Sequence, residues 1–350
     1  MPRIRATLPT LALCTSILLP LLAAGAAAAE SVDLAVEESR TLPKPADLKP
    51  GTVAFSDSQG SELVDQTTGL IRFEEWAKAD PVAKRYLSLY PAYTEPNIPV
   101  TVQGAPRNYL EKLHVYLASA RFVVDRPASA IDLQRYAAIS FLERIDPSIK
   151  HQQINAQDVT PGKDPKAAHN MLPGRGWCTG PQQVCIRSRY QLEGKLPAGV
   201  KLANQLRESA KKIPDYLEFE SELRLLPASE IDDGFAELTG IATPVSGVLQ
   251  QSVFHVNHVM QFGKLLAIVQ PHPASPDKSV VTAMLALGVE SDVLELKKDY
   301  AKYPVLRNLV PAQVLLGKSS FNVGTSLSAG LPAYARNRAK AIAQIMQRES

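Results

Sequence analysis

The chain has 350 residues, 45% of them apolar and 21% charged, with 38 Lys and Arg against 35 Asp and Glu for a formal charge of +3. That balance excludes an acidic or basic polyelectrolyte, and no basic run is long enough to track a phosphate backbone, so nucleic acid is not an expected partner. The apolar content suffices for one large core or two moderate ones.

The first element in chain order is a targeting segment. Arg3 and Arg5 precede an apolar run from Leu11 to Leu22, and small residues follow up to Ala29. The pattern predicts a secretory signal peptide over 1–29, too short and wrongly flanked for a stable anchor. Cleavage near Ala29 would remove Cys14 and leave 36 basic against 35 acidic residues. No later stretch has the apolar length of a membrane span, so the expected product is soluble and exported, in the periplasm or outside the cell.

Residues 30–60 are rich in Pro, Gly and polar groups and read as an extended, poorly ordered leader. A mainly helical region is expected over 61–150. Within it, residues 73–90 suit short helices broken at Asp80-Pro81. Tyr109, Leu113, Tyr116, Leu117 and Ala120 predict a helix over 106–122, and Leu133, Tyr136, Ala137, Ser140, Phe141 and Ile145 predict another over 131–145. Residues 151–175 carry no periodicity and read as a loop or linker.

Beyond residue 176 the period changes from helical to alternating. Ile186 and Tyr190 oppose Arg187 and Arg189, and Leu217, Phe219, Leu223 and Leu225 oppose Glu218, Glu220, Glu222 and Arg224, so both segments predict strands with one buried face. Residues 198–213 read as a helix. Two more strands are expected over 247–270, with a bend near Gly263, and another over 279–291. A final helix over 331–350 would turn Ala335, Ala339, Ile342 and Ile345 inward. No internal repeat is evident.

This order predicts an α+β fold, a helical N-terminal region followed over 176–350 by an antiparallel sheet packed against helices. Across about 175 residues the element order resembles the helix-grip fold of START-like lipid-binding domains. The resemblance implies a curved sheet around a C-terminal helix with an apolar cavity between them. It rests on element order and on no sequence motif, and fold alone assigns no function.

Cys178 and Cys185 remain after the signal. An oxidising compartment favours a disulfide, and two thiols without a histidine pair make a poor zinc set. Turn residues Thr179, Gly180 and Pro181 allow the reversal that a short bridge needs, so a structural bridge is expected here.

Several groups could carry chemistry. Glu218, Glu220 and Glu222 share a strand face, where they could act as acid and base or hold a hard cation; a solvated face with Arg187 and Arg189 as cross-strand partners is the reading preferred. His255 and His258 point to opposite faces of a strand and so do not make a metal pair. His272 reads as a loop residue. Ser209 to Lys212, Ser320 to Asn322 and Gly324 to Gly330 each mimic part of a hydrolase motif without its required context. No metal and no cofactor is expected.

Two functions follow as expectations. The first is an exported, non-enzymatic envelope protein that binds an apolar or lipid-like ligand between a wall of Phe254, Val256, Met260 and Phe262 and the helix face of Ala335, Ala339, Ile342 and Ile345. The alternative is an exported hydrolase of envelope polymers or esters, using Ser209 with Lys212 or a histidine with a remote serine.

Overall fold

In the computed structural model the described residues are 33–65, 70–72, 75–76, 99–102, 105–108, 113–159, 177–180, 183–191, 216–256, 260–290 and 327–349. In chain order, β1 (Ala35–Glu38) and β2 (Thr52–Asp57) pair in parallel, β3 (Val64–Asp65) and β4 (Leu70–Arg72) form a small hairpin, and β5 (Pro99–Val102) with β6 (Ala105–Asn108) forms a separate ribbon. Next come β7 (Leu113–Val124), the short helices α1 (Leu133–Tyr136) and α2 (Ile139–Ile145), β8 (Ile149–Gln153), β9 (Gln183–Gln191) and β10 (Tyr216–Leu225). Helix α3 (Asp233–Thr239), β11 (Gly247–Val256), β12 (Met260–His272), β13 (Ser275–Glu290) and α4 (Leu327–Arg348) complete the order.

The strands join in the order β1-β2-β7-β13-β12-β11-β10-β9-β8, with β4 added beside β2 on β7. Apart from β1 on β2 every pairing is antiparallel. Helix α4 lies across one face above β7 and β2 and meets α2. The fold is therefore α+β, a large antiparallel sheet gripping a C-terminal helix.

Several sequence expectations change. The leader is structured: β2 is the sheet neighbour of β7, and Val53, Ala54 and Phe55 are buried. The helix expected over 106–122 is instead strand β7, the partner of β13 along its whole length. Its inner residues Tyr116, Ala118, Ala120 and Phe122 and its outer residues Val115 and Arg121 are all buried. Apolar residues on both faces erase the alternation by which a strand is read. Among the described residues of 61–150, strands β3 to β7 and the start of β8 stand beside the short helices α1 and α2, so the region is not mainly helical. The loop expected over 151–175 begins as strand β8, paired with β9, and Ile154 and Val159 are buried. Strand β11 ends at Val256 and β12 begins at Met260; Gly263, the expected bend, lies within β12, where an added Cβ would press on Val253 and Leu287. Of the short helices expected over 73–90, Glu75 and Trp76 are helical and the remaining residues lie outside the described ones, as does the helix expected over 198–213.

A short repeat escaped the reading. Pro127-Ala128-Ser129-Ala130-Ile131-Asp132 and Pro227-Ala228-Ser229-Glu230-Ile231-Asp232 each follow a strand, make one 3₁₀ turn and end on an aspartate that caps a helix. Asp132 accepts from Gln134 N–H at 3.0 Å and Asp232 from Gly234 N–H at 3.1 Å, satisfying donors that the first helical turn leaves open. Gly240, with φ 66°, closes α3 in the left-handed cap conformation. Cap and glycine together are the signal that marks α3.

Both faces of the sheet are covered. On the inner face lie α1, α2 and α4. On the outer face Arg121 donates to Thr282 Oγ1 at 3.2 Å, to the Pro43 carbonyl at 2.7 Å and to the Thr239 carbonyl, while Gln270 donates to the Ile241 and Thr243 carbonyls at 3.2 and 2.8 Å. These buried polar side chains bind the segment after α3 to the back of β7, β12 and β13.

Candidate functional site

An apolar cavity of about 40 Å³ lies between the inner face, α1, α2 and α4. Its sheet wall is Leu223 of β10, Leu249 and Gln251 of β11, Leu265, Ala267 and Val269 of β12, and Val281 and Ala283 of β13. Tyr136, Phe141, Leu142 and Ile145 close one side, and Arg338, Ile342 and Met346 come from α4. A neighbouring space of about 30 Å³ under α4 shares Leu265, Ala283, Arg338 and Ile342 and adds Phe55, Ala118, Ala120, Ala335 and Ala339.

Alternation explains the wall. Every inner residue of β12 and β13 named above has an odd number, and the cross-strand register Leu265↔Leu285, Ala267↔Ala283 and Val269↔Val281 keeps them on one face. Ala118, Ala120 and Ala283 border the smaller space together with Ala335 and Ala339 of α4, and Ala267 borders the larger, so helix and sheet meet through small side chains and leave room between them.

A diagonal of polar side chains crosses this face at the β8 end. His151 Nδ1 lies 2.8 Å from Ser188 Oγ, and Gln251 Nε2 donates to Ser221 Oγ at 3.0 Å. Burial first, and then the charge of Arg338, push the His151 pKa below the usual histidine range, so this ring is held neutral. Arg338 donates to the Tyr334 hydroxyl at 3.2 Å and stands 5.9 Å from that ring.

The expected site residues divide. Ala335 and Ala339 are buried and line the smaller space, Ile342 lines both spaces, and Ile345 is buried in the adjoining core. Phe254 is not a wall of either. It stacks on Trp177 at 4.8 Å with the rings 14° apart, in a second cluster with Ile154, Val159 and Cys185 on the outer face. The side chains of Val256, Met260 and Phe262 lie outside the described residues. Sequence reading missed Leu223, Leu249, Leu265 and Ala283; the alternation of β10 and β12 signals the first and third.

Cys178 and Cys185 are bridged, with Cα atoms 5.7 Å apart. Cys178 has a φ of 65°, and its N–H donates to Glu222 Oε2 at 3.0 Å. Glu222 lies close to both sulfurs, but sulfurs joined to each other supply no thiolate for a metal.

The glutamate row is also corrected. Arg187 pairs with Glu220 at 2.7 Å and Arg189 with Glu218 at 2.6 Å, the expected cross-strand partners. The row is no solvated face, however: Glu220 and Glu222 are 0% and 1% exposed. Residues 154–159 and 177–178 cover them, and Arg187 reaches on to the Asp158 carbonyl at 2.7 Å. His255 is buried opposite Glu220, and His272 ends β12, accepting from Ala274 N–H at 3.2 Å. His258, Ser209, Lys212, Ser320, Asn322 and Gly324 to Ser326 lie outside the described residues.

No protein-family model matches the sequence, and no curated protein matches it. Among solved structures, norcoclaurine synthase from Thalictrum flavum is similar at 10% identity and a TM-score of 0.26, over 58% of this chain and 86% of that one. A START superfamily protein from Mycobacterium smegmatis is similar at 12% identity and TM-score 0.25, over 57% and 94%. The human StarD13 lipid transfer and protein localization domain is similar at 8% identity and TM-score 0.24, over 59% and 84%. Likeness at this level carries no argument about function, and the α+β assignment rests on the strand order itself.

Proposed function

We propose that this chain is an exported carrier that holds an apolar ligand against the inner face of the sheet, beneath α4. One observation carries the reading. On β12 and β13 the outward residues Lys264, Leu266, Ile268, Thr282 and Ala286 are at most 1% exposed, and the inward Val269 and Val281 are equally buried, whereas the inward Leu265, Ala267, Ala283 and Leu285 at mid-strand are only partly buried. In an ordinary core the middle of a central strand is sealed on the side that faces the long helix. Here that apolar mid-strand patch is left partly open beneath α4, which supports a ligand as its cover. The N-terminal segment and the disulfide support export.

The hydrolase alternative has one contact in its favour, His151 against Ser188. Ser188 is fully buried, so its hydroxyl is not presented to a substrate carbonyl, and the pair fits a hydrogen-bonded core couple. Native mass spectrometry of protein purified from its own envelope fraction tests the carrier: adducts that disappear on lipid extraction are expected. A ligand-free spectrum together with covalent labelling of Ser188 by a serine-directed phosphonate would overturn the reading in favour of the hydrolase. Intact mass should also show a chain lacking about the first 29 residues, and a full-length chain would refute export by cleavage.

A further inference from the structure

The charges of α4 are not alike. Arg336 pairs with Glu38 at 3.0 Å and Lys340 with Asp33 at 3.0 Å, both on the N-terminal segment beside the helix. Arg338, between them, turns to the cavity. It is the charged residue among the linings of both spaces, its described hydrogen bond goes to the phenol of Tyr334, and it has no carboxylate partner among the described residues. Bordering apolar walls, a guanidinium is poorly screened and gains most from an anion that brings an apolar body with it.

Resting on the carrier reading, we propose that the ligand is a single-chain amphiphile with an anionic head group, whose carboxylate or phosphate pairs with Arg338 while its chain lies along Leu265, Ala283 and Ile342. Three features fit this class. The guanidinium offers a planar donor fork matched to carboxylate and phosphate oxygens. The Tyr334 hydroxyl, exposed beside it, can take the outer edge of the same head group. The neutral His151 and the amides and hydroxyls of Gln251 and Ser221 add no negative charge to that side of the cavity.

Binding of decanoate and decanol to the full chain separates this inference from the reading beneath it. Calorimetry should give decanoate at least about tenfold tighter than decanol in the native protein, with the ratio shrinking in high salt. Arg338→Gln should bring the ratio close to one by weakening decanoate, and Arg338→Lys should retain part of the preference. Equal affinity for decanoate and decanol in the native protein would overturn the anionic head group while the carrier stands. The same holds if Arg338→Gln keeps the full preference. If neither compound binds the native protein, the carrier reading itself fails and this inference with it.

Discussion

Ala283 offers a direct measure of how much room the inner face holds. It sits in mid-strand on β13, between Ala120 of β7 and Ala267 of β12, and borders both spaces under α4. Ala283→Val adds two methyl groups at a strand position that suits a β-branched side chain. If both enter the cavity without moving α4, burial at about 0.8 kcal/mol per group gives up to about 1.6 kcal/mol of stabilisation. At roughly 2–4 °C per kcal/mol for a chain of this size, Tm should rise by about 3–6 °C. Ala286→Val is the control: that alanine faces the outer side, is fully buried, and lies opposite Lys264 and Leu117, so overpacking should cost about 1–3 kcal/mol. Thermal melts by circular dichroism read both. Equal destabilisation by the two substitutions would refute the reasoning, because it would mean that the inner face is packed as tightly as the outer.

Removing residues before Gly174 deletes β1 to β8 with α1 and α2 and leaves β13 without its neighbour β7 and β9 without β8, so a 174–350 fragment should fail to melt cooperatively; a cooperative melt would show those elements to be dispensable. Reduction of the Cys178–Cys185 bridge should cost about 2.5 kcal/mol in the chain-entropy account and weaken the near-ultraviolet signal of Trp177, whose stacking partner is Phe254; an unchanged Tm and spectrum would show that the bridge constrains nothing. At the end of α4, burial pushes the Glu349 carboxyl up, but hydrogen bonds from Arg144 and Tyr136 and the charges of Arg144 and Arg135 hold it on balance below the usual carboxylate range. Its contribution is therefore full above the ordinary glutamate pKa and fades as pH falls through the lowered value. Glu349→Gln should lower Tm at pH 7 and narrow its difference from the native protein in acid, and a difference that widens in acid would reverse the sign.

Where the two faces of a strand carry chemically different side chains, its pattern is legible even under cover, and β9 and β10 read correctly because Arg187, Arg189, Glu218, Glu220 and Glu222 mark one face. Where both covered faces are mainly apolar, it is not. In β7 the outer Arg121 is buried and donates hydrogen bonds to the Pro43 and Thr239 carbonyls, contacts far apart in sequence, and the inner Tyr116 and Ala120 fall by coincidence at helical spacing with Leu113 and Leu117. The same double cover hid the site. An apolar stripe reads as the inside, yet on β11 the inner side carries Gln251 and the outer side Phe254, because Trp177 supplies the apolar partner on the back of the sheet. The helix side of the site was easier to read, since α4 has a single covered face and its Ala335, Ala339 and Ile342 repeat at helical spacing.

Phe254 and Leu265 therefore make a discriminating pair. Both are large apolar residues on neighbouring strands, but Phe254 faces Trp177 on the outer side and Leu265 faces the space under α4. Phe254→Ala removes a ring from a tightly filled cluster and should cost about 3–5 kcal/mol, as Phe to Ala changes in cores do. Because the lost contacts lie behind the sheet, the folded fraction should bind an apolar ligand with unchanged affinity. Leu265→Ala loses less, since the leucine is only partly buried and already borders open space, and it joins the two spaces into one. Its expected signature is a modest fall in Tm with a shift in preference towards bulkier ligands. Melts combined with ligand titration at a temperature where both variants are folded give the comparison. A change of ligand preference in Phe254→Ala, with none in Leu265→Ala, would place the binding face on the opposite side of the sheet.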